Sequence, residues 1–480
     1  RLVMFSWIFL ACAALCCVWL VEWCYTRRCR RLLAGLPGYP TLPLLGNLLE
    51  ITVSTKLSEE RKSAFVFWFG PFPFFSDPED VKVITNTFVG KPYFYSFARV
   101  WLGDGLVTAP VPIWKQSVKK LSSAFSGNLV SGFQGVFNAQ ARRLLDKLRT
   151  HAGAAPFEVM DQYLAYTTLE AICQIALGVA NVTEDLVTSE YYHAFKRTAD
   201  LLLARGLNVF HHPDGLYQLS ASCRELRRHV AVLHKLSDAV VLEWRLAQYN
   251  QYFTENERFK AYIDILLELN ELDPTLTETK IRAEVDTIIL GGQETVASTL
   301  FFSLLVIGAR PDVQEKMYTE LREIFGDSRR EVETTDLARM SYCEAVVSEV
   351  LRLYPPVPAV MRYADRDLQL KSFTVPKGAM CVVNAFGAGR LKEVWGEDAL
   401  EFNPDRWMKG PPGNNASFLA FSYGKRACIG KRYAMALLKT ILAYCVRELV
   451  IVSEAHQLDF QLDILLRPIS ENLIQVHLRQ

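Results

Sequence analysis

The chain has 480 residues, half of them hydrophobic and 12% aromatic, which is ample for a large core. Its 53 basic and 52 acidic residues leave a net charge of +1, so nothing in the overall balance favours nucleic acid. The eleven cysteines include five in the first 29 residues and six widely spaced ones, which excludes a disulfide framework and suits a reducing compartment.

Leu2 to Val21 is twenty residues with Ser6 as the one polar side chain, long enough to span a bilayer. Glu22, Trp23 and Tyr25 mark an interface, and Arg27, Arg28, Arg30 and Arg31 follow. Basic residues stay on the cytoplasmic side, so residues 1–25 are expected to be an uncleaved transmembrane anchor with the body in the cytosol. A cleaved signal peptide needs a shorter apolar run and a small-residue cleavage site, and the run continues past Ala11 to Ala14. Within residues 26–50, Leu36-Pro37-Gly38-Tyr39-Pro40-Thr41-Leu42-Pro43 can be neither helix nor central strand and reads as a stiff hinge.

Residues 51–480 are expected to form one mainly α body with small β-sheets. Short strands are predicted at 64–70 and 72–75. Helical patterns follow at 133–150, 161–177, 189–204, 224–248 and 257–269. His211-His212 before Pro213 reads as a turn, not a metal site. The long apolar run Glu278–Ala309 ends at Arg310-Pro311, a helix stop. Strands are predicted at 368–373, 380–383 and 473–477.

Inside the long run lies Gly291-Gly292-Gln293-Glu294-Thr295. Each glycine weakens a helix by roughly 1 kcal/mol relative to alanine, so the pair needs a reason. Close approach of backbone to a flat ligand is one, and a contact between helices is the plainer one. The acid followed by a hydroxyl is a pair that can hand protons to a bound molecule. Further on, Glu349 and Arg352 have the i, i+3 spacing of a helical ion pair and precede the run Leu353-Tyr354-Pro355-Pro356-Val357-Pro358. Finally, Cys428 sits in Phe421-Ser-Tyr-Gly424-Lys-Arg426-Ala-Cys428-Ile-Gly430, just before a helical pattern. Backbone N–H groups, a helix start and an arginine would stabilise a thiolate there. The two glycines leave room for backbone beside a flat cofactor.

These motifs resemble those of the cytochrome P-450 superfamily, whose loop reads F-x-x-G-x-R-x-C-x-G. The resemblance implies haem b with the Cys428 thiolate as axial and sole protein metal ligand, and Phe421, Gly424, Arg426 and Gly430 around it. It implies that Gly291 and Gly292 pass close to the haem, with Glu294 and Thr295 as catalytic proton-handling residues. Glu349 and Arg352 would form a structural network with Arg406 of the Phe402-Asn-Pro404-Asp-Arg406 segment. Trp114, Arg362 and Arg426 would meet the propionates. The family's W-x-x-x-R helix departs here: its arginine position is Val118, and Lys119 lies about 100° further round. Gly389-Arg390 departs too, where a His-Arg pair is usual.

Glu284-Val-Asp286-Thr287 and Tyr433-Ala-Met435 are similar to the family-4 clan common in insects and vertebrates. Some of that clan bind haem through an ester to a glutamate. Gly291 occupies that position, so the haem is expected to be non-covalent.

The implied function is an endoplasmic-reticulum monooxygenase facing the cytosol. It inserts one oxygen atom from O2 into a small lipophilic substrate. Electrons come from NADPH through a separate flavoprotein reductase, because the chain has no flavin or dinucleotide motif, with cytochrome b5 as a further donor. The reductase is expected on Lys425, Arg426, Lys431, Arg432, Lys115, Lys119 and Lys120. Segments 93–101, 201–210, 288–289, 357–361 and 469–473 would line an apolar pocket. The alternatives are a haem-thiolate peroxide isomerase, a class that generally lacks the acid–threonine pair, and a haem carrier or sensor without turnover.

Overall fold

The computed structural model describes residues 27–29, 31–33, 36, 64–68, 71–177, 189–249, 262–266, 277–410, 415–455, 458, 460–462, 464–468 and 472–479. The expected anchor, most of the hinge and part of the last pocket segment lie outside these residues. The chain divides into two compact units. Unit one is residues 1–92, 358–401 and 412–427; unit two is residues 93–357, 402–411 and 428–480.

Unit one is built on a four-stranded sheet in the order Ala64–Trp68, Pro71–Phe75, Met380–Asn384, Ala359–Tyr363. The first pair is antiparallel, the second parallel and the third antiparallel, with Phe74 opposite Val382 and Val360 opposite Val383. Pro71 and Pro73 lie in the part of their strand that pairs with Ala64–Trp68 alone, because Met380–Asn384 joins it only at Phe74 and Phe75. The helix Pro78–Thr87 starts with Asp77 accepting from the N–H groups of Glu79 and Asp80, and proline occupies its first turn. Its Val81 and Ile84 bury against Phe75, Phe88 and Val383 in one core cluster. The strand expected over 368–373 is a short hairpin instead, Leu368–Gln369 paired with Thr374–Val375.

Unit two is mainly helical. Its helices include Gln134–Arg149, Ala165–Leu177, Ser189–Leu207, Ala221–Tyr249, Glu278–Ala309, Pro311–Phe325, Ser341–Leu353 and Lys431–Glu448. The stretch Tyr262–Leu266 of the predicted 257–269 segment is helical as well. A three-stranded antiparallel sheet, Phe157–Glu158, Leu473–Leu478 and Leu449–Val452, closes one side.

The Glu278–Ala309 helix is long and apolar enough to cross a membrane, yet 83% of its most apolar window is buried in the protein. It is therefore a core helix, hydrophobic all round because it is surrounded. It packs chiefly along Ala165–Leu177. Arg310 caps its end, and Pro311 opens the next helix. The helix predicted over 161–177 opens with a wider turn, Met160–Leu164, in which the N–H groups of Tyr163 and Leu164 both reach Val159 O at 3.1 Å.

Candidate functional site

Cys428 stands just ahead of the Lys431–Glu448 helix. Its sulfur accepts hydrogen bonds from the backbone N–H groups of Gly430 and Lys431, and the Lys431 ammonium adds favourable charge. Burial opposes them and prevails, so the free thiol titrates above its ordinary range. By accessible surface the same side chain is exposed. The two facts are compatible when protein surrounds the sulfur but leaves one side open. A metal ion on that side would hold the thiolate outright.

The two adjacent glycines of the long helix have different surroundings. A Cβ at Gly291 would meet nothing within 4 Å, and that residue is exposed. A Cβ at Gly292 would lie 2.6 Å from Ile172 Cδ1 on the Ala165–Leu177 helix. Gly292 therefore permits close packing against the Ala165–Leu177 helix.

Next along, Glu294 is 7% exposed, and its Oε2 has no hydrogen-bond partner among the described residues. Burial raises its pKa to about 7, against the pull of Lys196 and Arg467; Asp161 raises it further. Thr295 Oγ1 donates to Gly291 O at 2.6 Å, and Thr299 Oγ1 donates to Thr295 O at 2.7 Å. Two more acids on this helix are buried. Glu284 Oε2 accepts from Leu106 N at 3.0 Å, and Asp286 lies 3.5 Å from His234 Nε2. Burial raises both to about 7.

Glu349 is fully buried at the centre of five donors. Arg352 grips it twice, Nε to Oε2 at 2.8 Å and Nη2 to Oε1 at 2.7 Å. Arg406 Nε reaches Oε1 at 3.0 Å, Asn403 N reaches Oε1 at 2.9 Å and Trp407 Nε1 reaches Oε2 at 2.9 Å. The motif-derived trio is thus assembled, and Asn403 and Trp407 complete it. Trp407 directly follows Arg406 in the motif segment, a signal that could have been used.

In unit one, Arg362 is 1% exposed. It donates from Nη1 to Met361 O at 3.0 Å and from Nη2 to Ser422 Oγ at 3.4 Å. Ser422 has a left-handed backbone, φ 58°. Arg426 Nε donates to Val89 O at 3.2 Å, and Tyr363 N donates to Gly90 O at 2.8 Å. These bonds bring Lys91 beside both arginines. Burial, then Arg426 and Arg362, push its ammonium well below the ordinary lysine range.

Lys91 was not anticipated; only its place in Gly90-Lys91-Pro92 hinted at a fixed backbone. Gly424 has φ +75°, and a Cβ there would stand 2.8 Å from Thr85 O. That is a tight turn against the Pro78–Thr87 helix. Phe421 is half-buried with its ring 6.3 Å from that of Phe418.

Elsewhere in unit two, Trp114 is 7% exposed on the helix Val111–Leu121, while Lys119 is exposed. Lys119 therefore does not share Trp114's buried face. In the expected pocket segments, the rings of Tyr93, Phe94 and Phe97 gather round His212, but Phe210 is 76% exposed and lies at the surface.

A haem requires a thiolate or similar ligand, cations for two propionates, and flat clearance. Unit two offers Cys428 with two N–H donors and the clear side of Gly291, and unit one by itself offers Arg362 and Arg426 with Lys91 beside them. These residues fit the group. The family model described as Cytochrome P450 matches residues 36–474. The chain belongs to the cytochrome P450 family. It is a P450 monooxygenase, and the family implies haem with cysteine thiolate ligation. "Cytochrome P450 4c21" of Blattella germanica is 30% identical, over 87% of this chain and 88% of that protein. "Cytochrome P450 4V2" of Mus musculus is 30% identical over 84% and 79% respectively. "Cytochrome P450 4F12" of Homo sapiens is 30% identical over 81% and 78%. The P450 family-4 relatives thus include both insect and mammalian proteins.

Proposed function

We propose that this P450 is a membrane-anchored, endoplasmic-reticulum enzyme with its catalytic body in the cytosol. It adds one oxygen atom from O2 to a small lipophilic substrate, with electrons from NADPH through a flavoprotein reductase. Haem b is bound non-covalently, with Cys428 as its axial ligand. The observation that carries this reading is the Cys428 sulfur with its two N–H donors from Gly430 and Lys431. Bound there, haem supplies the iron that activates dioxygen.

The remaining work falls to the chain. The Gly430 and Lys431 N–H groups hold the sulfur's negative charge. In unit one Arg362 and Arg426 supply cations for carboxylates, and in unit two Trp114 supplies an N–H donor. Glu294, with its pKa raised by burial to about 7, is about half protonated at neutral pH and can take up or release a proton. Thr295 holds its hydroxyl on Gly291 O and can turn it to a bound molecule. The Glu349 network braces the 402–407 segment and touches no reacting atom. Exposed Lys431 and Arg432 supply positive charge for an acidic flavoprotein surface, with Lys115 and Lys119 on the Trp114 helix.

The test is a product-mass screen of lipophilic compounds with purified reductase and NADPH. A product one oxygen heavier, made only with NADPH and reductase, is expected. Conversion of a peroxide without reductase would make the protein an isomerase, and haem binding without turnover would make it a carrier.

A further inference from the structure

The roles given to Glu294 and Thr295 leave the preceding stretch, Glu284-Val-Asp286-Thr287, without a task, although its first acid is only 3% exposed in an apolar helix. A buried carboxyl costs free energy unless it is hydrogen-bonded. Glu284 Oε2 accepts from Leu106 N at 3.0 Å, from 178 positions earlier in the chain. The Ser117 hydroxyl bonds to the same carboxyl. Burial raises the Glu284 pKa to about 7, and these two bonds pull it down.

Leu106 belongs to a turn that lies directly on the long helix. Gly103 has φ +49°, and a Cβ there would stand 2.8 Å from Ala283 Cβ. A Cβ at Gly105 would stand 2.5 Å from Ala283 O and closer still to Thr287 Oγ1. Both approaches fall on the turn of helix that carries Glu284, and glycine alone leaves room for them. Backbone bonds then carry this placement on to Trp114. Thr108 N and Ala109 N donate to Gly105 O at 3.0 and 2.9 Å, and Trp114 N donates to Pro110 O at 2.9 Å in the first turn of the helix Val111–Leu121. Ser117 stands one turn beyond Trp114 on that helix. The upstream end has a separate hold, because His234 Nε2 lies 2.8 Å from Trp101 O.

We propose that Glu284 is a positioning residue that holds the 103–117 segment against the long helix and thereby fixes Trp114 for cofactor binding. This rests on the reading of Trp114 as an N–H donor to a haem carboxylate. A donor binds best when other groups have already fixed its orientation, because less freedom is lost on binding. Glu284 acts through the Leu106 N–H and touches no reacting atom. What the clamp needs is an acceptor at the place of Oε2. A glutamine amide oxygen provides one and leucine provides none. Aspartate keeps the carboxyl but is one methylene shorter.

Two measurements on the holoprotein test this. Amide hydrogen exchange over 103–117 reads the clamp, and the rate of haem transfer to excess apomyoglobin reads Trp114. Glu284→Leu is expected to speed both exchange at Leu106 and haem transfer about tenfold, with Glu284→Gln close to wild type. Trp114→Phe should also release haem faster, and adding Glu284→Leu to it should change the rate no further. A general loss of stability would instead add to the effect of Trp114→Phe. Should Glu284→Leu fail to load, Glu284→Asp takes its place and is expected to be several-fold faster in both measurements. Wild-type exchange at Leu106 in the variant used overturns the proposal. So do additive effects in the double variant, or a Glu284→Gln as fast as Glu284→Leu. If exchange speeds but Trp114→Phe holds haem as wild type does, the clamp stands and the reading of Trp114 falls.

Discussion

Glu294 and Thr295 are adjacent on one helix and have opposite hydrogen-bonding states. Thr295 Oγ1 donates to Gly291 O at 2.6 Å, whereas Glu294 Oε2 is buried and has no partner among the described residues. The hydroxyl is parked on the backbone, and the carboxyl is held in reserve near its point of half-protonation. Such a pair can stay inert at rest and still supply a proton when a ligand binds.

Thr295→Ala removes the hydroxyl and leaves Glu294 in place. The variant should load haem and bind substrate normally, yet divert NADPH electrons to peroxide and water. Peroxide release and product per NADPH are measured together. An unchanged ratio would remove Thr295 from the mechanism.

Cys428→Ser should abolish the red-shifted Soret band of the reduced carbon-monoxide complex, because a serine hydroxyl does not give thiolate ligation. A band at the wild-type position in this variant would sink the assignment of the metal ligand.

Acid-organic extraction of the denatured holoprotein should release all of its haem. Gly291 has no carboxyl for an ester, and the space beside it is clear. Haem that stays with the chain through denaturing electrophoresis would contradict this.

Breaking the Glu349 cluster should cost more than the loss of one surface ion pair. Arg352→Met leaves a fully buried carboxylate with one cation, and about 3–5 kcal/mol of stability should be lost. Denaturant unfolding of the variant against wild type measures it. A change below about 1 kcal/mol, the range of exposed pairs, would show that the cluster is not buried in solution.

Stability should depend on pH through the three acids of the long helix. Glu284, Asp286 and Glu294 titrate at about 7 in the fold, each raised first by burial. An acid with a raised folded pKa keeps its full contribution below the unfolded value and loses it as pH rises through the folded one. The folded protein should therefore weaken between about pH 4 and 8, by on the order of 3–4 kcal/mol per group. The double variant Glu284→Gln with Asp286→Asn should flatten that slope. Parallel pH profiles of thermal midpoint in variant and wild type would refute it.

Local signals in the sequence were read well. The Glu278–Ala309 helix is bounded as predicted because Arg310-Pro311 stops it, and strands at 71–75 and 380–384 follow their aromatic and β-branched runs. The Glu349–Arg352–Arg406 cluster was legible because its members carry a motif. What stayed hidden depends on non-local packing. Gly292 packs against Ile172, 120 positions earlier, a contact that no local spacing reveals. Lys91 reaches Arg362 and Arg426 through backbone bonds at Val89 and Gly90 that no spacing reveals.

The five donors on Glu349 also bear on biosynthesis. Three of them come from Asn403, Arg406 and Trp407, in a short stretch of unit two inserted between two stretches of unit one. As the chain leaves the ribosome, the Ser341–Leu353 helix emerges some fifty residues before those donors. Until they arrive, Glu349 has only Arg352 among its five bonds and cannot be buried without a large penalty. Neither unit can be completed before the other has begun, so the nascent protein should remain sensitive to proteases until its last third is made.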